Sequence, residues 1–215
     1  MTIEIVKRVA SSILLIPAVI FIIYNGSVLF NLFLILCFII SIKELFNLTK
    51  IIPIRLFGIF FLLISLYSFY CLKYNFENLN YIYLVLLVCI STDIGGYLFG
   101  KFFKGPKLTA ISPNKTYSGV LGSYIISIIS SFIFLDSQIV ENTISLSGET
   151  LILILLVSTV SQIGDLIISY LKRMSNIKDT GNIIPGHGGL LDRIDGMIFA
   201  FPIFYLISLE GYKII

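Results

Sequence analysis

A chain of 215 residues that is 57% hydrophobic and only 13% charged is excluded from the ordinary soluble class, where roughly 45–50% apolar and about 25% charged residues are usual. Its mean hydropathy of +1.01 points to a membrane protein. The net charge of +3 gives no ground for a nucleic-acid partner.

Seven apolar stretches follow in chain order, at residues 9–24, 27–42, 54–72, 80–100, 117–135, 150–171 and 196–209. Each approaches or reaches the roughly 17–25 residues that cross a bilayer as a helix. The expected fold is therefore an all-α polytopic integral membrane protein of about seven transmembrane helices. Lys7 and Arg8 precede the first stretch as in a signal peptide, but no Ala-x-Ala-like cleavage site follows, so this stretch reads as a span. Cys37, Cys71 and Cys89 lie far apart in or beside apolar runs and read as small buried hydrophobes.

With the N-terminus in the cytoplasm, every Lys and Arg except Lys73 and Lys213 falls on the cytoplasmic side. The positive-inside rule selects that orientation, with an external C-terminus. The loop from Asp136 to Glu149 carries acids and no Lys or Arg, as suits an external loop. The inner face is then a basic surface, matched to anionic headgroups or phosphorylated substrates. No repeat, linker or low-complexity tract divides residues 1–215, which read as a single membrane domain.

Charge inside a membrane is costly, at least about 2.5–3.5 kcal/mol at the centre, and asks for a reason. Asp93 lies in "CISTDIGGYLFG", where Gly95, Gly96 and Gly100 permit close helix approach within one chain or between two copies in a homodimer. Asp165 lies near the end of the sixth stretch. Ser161, Asp165, Ser169 and Lys172 or Arg173 recur every three or four residues, which places them on one helix face directed into the protein or a wet cavity.

The segment that follows, "LKRMSNIKDTGNIIPGHGGLLDRIDGM", mixes Lys172, Arg173, Lys178 and Arg193 with Asp179, Asp192 and Asp195, and sets Gly181, Gly186, Gly188 and Gly189 among them. Cations and glycine-freed backbone N–H groups cradle phosphate oxygens, and clustered carboxylates hold a divalent metal that bridges the same phosphates. Asp192 and Asp195, at i and i+3, can face one centre, or simply compensate a helix N-terminus. A single histidine excludes His-x-x-x-His metalloprotease spacing, and no Gly-x-Ser-x-Gly elbow occurs. "GKFFKGPK" fails as a Walker A loop because Pro106 stands where Lys must follow the second glycine. His187 could contact phosphate or hold the loop; a phosphate-monoester nucleophile, already ionised near neutral pH, needs no general base.

The run Ser169, Lys172, Arg173, Lys178, Asp179, Pro185, His187, Gly188, Gly189, Asp192, Arg193, Asp195 resembles the signature of the phosphatidate cytidylyltransferase (CDP-diacylglycerol synthase) family in order and spacing. "DIGGYLFG" from Asp93 and "SPNKTYSG" from Ser112 are similar to two further segments of that family. The likeness covers residues 93–197. Residues 1–90 match only as hydrophobic spans, and Ile168, Tyr117 and Ser118 depart from the family pattern. The chain is short for the family, which suggests one or two missing N-terminal spans.

The resemblance implies transfer of a cytidylyl group from CTP to phosphatidate, giving CDP-diacylglycerol and pyrophosphate, in a bacterial inner membrane with the site facing the cytoplasm. It divides the chain into N-terminal spans (1–90) and catalytic segments (91–197) with cytoplasmic loops 101–116 and 172–195. It further implies that Asp165 and Asp192 hold Mg²⁺ against the CTP phosphates, supported by Asp195 and Asp93, with a second cation by two-metal logic. Lys172, Arg173, Lys178 and Arg193 would neutralise phosphate, with Asp179 and His187 completing the catalytic set. Ser112, Lys115, Thr116, Ser169, Gly188 and Gly189 would bind substrate. The rival expectations are a CTP-dependent enzyme acting on another lipid phosphate or a polyprenol-type lipid, and a lipid or ion transporter, which should show internal symmetry that this chain lacks.

Overall fold

A backbone immersed in hydrocarbon must satisfy its own N–H and C=O groups, so long apolar runs fold as helices. The structure, a computed structural model, describes residues 3–75, 79–109, 112, 115–137, 147–184, 186 and 188–210, with side chains at all of these except 3–10, 12 and 210. Among them the helices are α1 (Ile3–Asn25), α2 (Ser27–Leu48), α3 (Ile52–Tyr74), α4 (Asn80–Phe103), α5 (Tyr117–Asp136), α6 (Gly148–Met174), α7 (Leu191–Ile194) and α8 (Met197–Glu210).

The seven predicted spans correspond to α1 to α6 and α8, and the single turn α7 is an addition. Helices α2 to α6 are long and apolar enough to cross a membrane, while Ile13–Asn25 of α1 and Met197–Leu209 of α8 are shorter apolar segments. The chain is an integral membrane protein. Its surface agrees with that: Leu14, Val28 and Phe102 are 74%, 71% and 75% exposed, whereas Ser127, Ser131 and Ser158 are fully buried. Small polar residues inside and large apolar ones outside is the pattern expected where lipid, not water, is the solvent.

Local sequence sets the helix ends. Pro53 occupies the first turn of α3, where its missing N–H costs nothing. Thr116 caps α5 by accepting the Gly119 N–H at 3.1 Å, and Ser147 caps α6 by accepting the Thr150 N–H at 3.2 Å. Asn176, at φ 54°, ends α6 in the left-handed region, and the Ile177 N–H turns back to the Lys172 carbonyl at 3.0 Å. Arg55 closes α2 by donating to the Thr49 and Phe46 carbonyls at 2.6 and 2.9 Å.

The most extensive pairing is α4 with α5, followed by α3 with α8 and α6 with α8. Glycine makes the first possible: a Cβ on Gly119 would lie 2.9 Å from the Gly96 carbonyl oxygen, and one on Gly122 only 2.7 Å from that of Gly95. The glycines after Asp93 thus serve packing within one chain. At one end of the bundle, Lys73 donates to the Ile23 carbonyl and Tyr74 to that of Ser27 at 3.2 Å. At the other, the ends of α2, α4 and α6 meet the starts of α3, α5 and α8, and Ser175 donates to the Leu48 carbonyl. That second end carries the polar segments.

Candidate functional site

The segment between α4 and α5 turns at Lys104 (φ 54°) and Gly105 (φ 105°). It folds back on itself through an antiparallel bridge between Lys107 and Thr116 and a bond from the Leu108 N–H to the Lys115 carbonyl at 2.8 Å. This excursion delivers the Lys115 ammonium to Asp165 on α6, 2.5 Å away, with both side chains partly exposed. Ser112 accepts the Lys115 N–H at 3.0 Å and Thr116 spends its hydroxyl oxygen on the α5 cap, so both shape the loop that presents Lys115. Pro113 and Asn114 of this segment lie outside the described residues.

The predicted polar face of α6 is present. Ser169 donates to Asp165 at 3.2 Å, and Lys172, one turn on, donates to Asp192 at 2.8 Å. Arg173 is exposed, roughly 100° round the helix from Lys172. A second glycine contact brings α8 close to α6. A Cβ on Gly164 would lie 2.8 Å from the Asp195 carbonyl oxygen, and one on Gly196 2.9 Å from that of Ser161. The glycines beside Asp165 and Asp195 therefore let two carboxylates share one neighbourhood. Asp195 is buried, 8% exposed; burial first, and then the Asp165 and Asp93 carboxylates, push its pKa well above the usual range. Asp93, an exposed side chain in the middle of α4, lies within electrostatic reach of Asp165, Lys115 and Arg193.

Asp192 has a different setting from Asp195, although they stand three residues apart. Its Oδ1 takes the Lys172 ammonium, while Oδ2 takes the Thr180 N–H at 2.8 Å, the Thr180 hydroxyl at 3.0 Å and the Gly189 N–H at 3.0 Å. Burial works against its charge, but the bonds from Lys172, Thr180 and Gly189 outweigh it and hold the carboxyl below its ordinary pKa. Gly188, at φ 88°, bridges to Ile184, and a Cβ there would lie 2.9 Å from Asp192 Oδ2. Both Gly188 and Gly189 thus close around the Asp192 carboxylate. Lys178, Asp179 and Arg193 are exposed, and His187 and Pro185 lie outside the described residues.

Sequence reasoning missed Glu44. It stands in the last turns of α2, is 2% exposed, and accepts the Leu190 N–H at 2.9 Å, the Leu191 N–H at 2.7 Å and the Thr180 hydroxyl at 3.0 Å. One signal was available: Glu44 is the only acid between Glu4 and Glu77 and closes an otherwise apolar span.

Chemically, the end of the bundle holds a carboxylate group (Asp93, Asp165 and Asp195) whose mutual repulsion asks for positive charge. Its donors are hard oxygens, which suit a cation such as Mg²⁺. Among the described residues no set of three or more acidic, His or Cys side chains closes into a finished metal cage. An open arrangement of this kind fits a cation that takes one or two carboxylates and fills its remaining positions with water and substrate phosphates.

Fold and site together define a polytopic membrane protein with an acidic and basic centre at one end of its bundle, the equipment of an enzyme handling phosphates. Residues 50–209 match the Cytidylyltransferase family, and the chain belongs to that family. A phosphatidate cytidylyltransferase of Rickettsia felis is 38% identical over 215 residues, covering 94% of this chain and 91% of the relative. One of Bacillus subtilis is 36% identical over 83% of this chain and 66% of its own length, and one of Staphylococcus aureus is 41% identical over 63% and 51%. The chain thus spans nearly all of the first relative and between half and two thirds of the other two.

Proposed function

We propose that this protein transfers a cytidylyl group from CTP to phosphatidate, releasing pyrophosphate and leaving CDP-diacylglycerol in the membrane. The observation that carries the reading is the meeting of Lys115, Asp165, Lys172, Asp192 and Asp195, brought from three separate segments to one end of a lipid-embedded bundle. Family membership and the shared name of the relatives support the same activity.

In this reading the positive-inside distribution sets that end toward the cytoplasm, where CTP is available, while phosphatidate arrives from the bilayer. Asp165 and Asp195, together with Asp93, would hold Mg²⁺, which when bound would supply charge neutralisation on the CTP phosphates. Lys115 leaves Asp165 to meet a substrate phosphate, and Lys172, steadied by Asp192, faces the same charge. Asp192, its oxygens already engaged, acts on the arrangement of its neighbours as much as on any cation. Arg173, Lys178 and Arg193, exposed around the rim, draw the polyphosphate in. An oxygen of the phosphatidate phosphate attacks the α-phosphorus, the bond from that phosphorus to the β-phosphate bridging oxygen breaks, and pyrophosphate leaves. Positioning and charge stabilisation carry most of such a transfer.

Purified protein in detergent should release pyrophosphate from CTP only when phosphatidate and Mg²⁺ are both added. Asp165→Asn should cut the release by about 10²–10³-fold, the scale on which a preorganised charge acts, with the melting transition retained. Release without lipid, or full activity in Asp165→Asn, would overturn the reading. A panel of lipid phosphates and polyprenol-type lipids, assayed alongside, should show phosphatidate preferred.

A further inference from the structure

We propose that Glu44 is a positioning residue for this reaction: from the end of α2 it seats the start of α7 and, through Thr180, the Lys172–Asp192 pair. The proposal rests on the transfer reading above. The family match begins at residue 50, so it leaves Glu44 and the whole of α2 without an assigned part.

The geometry is specific. Glu44 bonds across 136 to 147 positions of sequence, so it is a long-range clasp and no local turn. Its two oxygens take the two successive N–H groups of Leu190 and Leu191, which fixes the direction in which α7 sets out and hence where Asp192 and Asp195 point. The space around it is tailored. A Cβ on Gly181 would lie 2.6 Å from Glu44 Oε1, and one on Gly189 would collide with both Glu44 Oε2 and Thr180 Oγ1. Two glycines of the polar segment therefore make room for this carboxylate.

Thr180 links Glu44 to Asp192. Its hydroxyl stands 3.0 Å from Glu44 Oε2 and 3.0 Å from Asp192 Oδ2, yet it carries a single proton and can donate to one of them at a time. The Thr180 N–H commits to Asp192, so the residue is held between two carboxylates, one from α2 and one from α7. Asp192 in turn holds Lys172. Ser175 adds a second tether between the same segment and α2 at the Leu48 carbonyl. A buried carboxylate with this many directed donors costs free energy to desolvate and is matched to its donors, which is how a rigid setting for neighbouring groups is built.

The test uses the full chain in detergent with CTP, phosphatidate and Mg²⁺, and compares Glu44→Gln, Glu44→Asp and, as a control on the exposed side of the same turn, Lys43→Gln. The kcat of Glu44→Gln should fall at least about tenfold, since small misplacements of reacting groups carry such losses, with KM for CTP and for phosphatidate within about threefold. Glu44→Asp, which keeps the charge on a shorter stem, should recover part of the loss, and Lys43→Gln should match the wild type. Amide exchange supplies a readout independent of activity. Residues 180–191 should exchange faster in Glu44→Gln, by about tenfold or more, while α4 and α5 are unchanged. An unchanged exchange rate at 180–191 overturns the proposal. So does a loss of activity that merely follows the unfolded fraction, or one confined to KM. If the wild type itself releases no pyrophosphate, the functional reading fails and the exchange comparison alone decides whether Glu44 seats the turn.

Discussion

Asp192 and Asp195 show how far residue-level reasoning reaches. Their spacing and their place before an apolar run are legible in the chain, but their opposite settings are not, because those depend on what α2 and α6 bring near. Asp192 collects Lys172, Thr180 and Gly189 and is held below its ordinary pKa. A carboxyl whose folded pKa is depressed adds stability at pH values above its unfolded value, about 3.9, and loses it as pH falls through the folded value. The melting temperature in detergent should therefore drop from pH 5 toward pH 3, and Asp192→Asn should flatten that acid limb. Asp195 has the opposite sign. Its raised pKa means that the ionised form strains the fold at neutral pH, so Asp195→Asn should raise the melting temperature of the metal-free protein at pH 7. A gain of about 2–4 °C corresponds to ~1 kcal/mol in a chain of this size, and turnover should fall at the same time. Glu44 escaped sequence reading for a related reason: its partners lie more than a hundred positions away, and nothing in an apolar helix announces them.

Among the helices, the glycines decide which pairs approach closely. Those after Asp93 are recognisable as packing residues, but the sequence leaves open whether the partner is another copy or another helix; the α4 and α5 contact answers it. Gly95→Ala would place its methyl carbon within 2.8 Å of Gly122 backbone, and Gly122→Ala would press on the Gly95 carbonyl and the Phe99 side chain. Neither neighbour can yield without moving a helix. Each substitution should cost about 1–3 kcal/mol, the usual range for overpacking, seen as a lower melting temperature. Gly148→Ala, which meets nothing within 4 Å, should leave it unchanged or slightly higher. Caps and turns were harder to foresee. Thr116, placed by its motif among the substrate-binding residues, also caps α5, a bond that the motif does not announce because it depends on where the helix starts.

For the molecule as a whole, hydropathy and spacing were enough to place the spans, since a bilayer leaves backbone few alternatives to a helix. They could not supply the pairing of helices, which is set by glycine contacts and buried hydroxyls spread over distant segments. The orientation proposed above is open to direct measurement. The native Cys37, Cys71 and Cys89 are buried, so background labelling should be low. Asn182→Cys should react with a membrane-impermeant maleimide only from the cytoplasmic side, and Asn75→Cys, at the opposite end of the bundle, only from outside. The reverse pattern would remove the cytoplasmic placement of the site.

Helix α8 has 14 residues, a rise of about 21 Å against a hydrocarbon layer of roughly 30 Å. Asp195 stands in the turn between α7 and α8, two residues before α8 begins at Met197. Asp93 lies ten residues inside the end of α4 at Phe103, about 15 Å down the helix. In the orientation proposed above, this depth sets Asp93 and the acidic group around it beneath the plane of the lipid headgroups. On that reading a lipid phosphate sinks to reach it, and the depth of the descent is set by the bilayer as well as by the protein. Membrane thickness then becomes a control on rate: reconstitution in lipids of increasing chain length should slow turnover while the detergent-solubilised enzyme stays indifferent to the change.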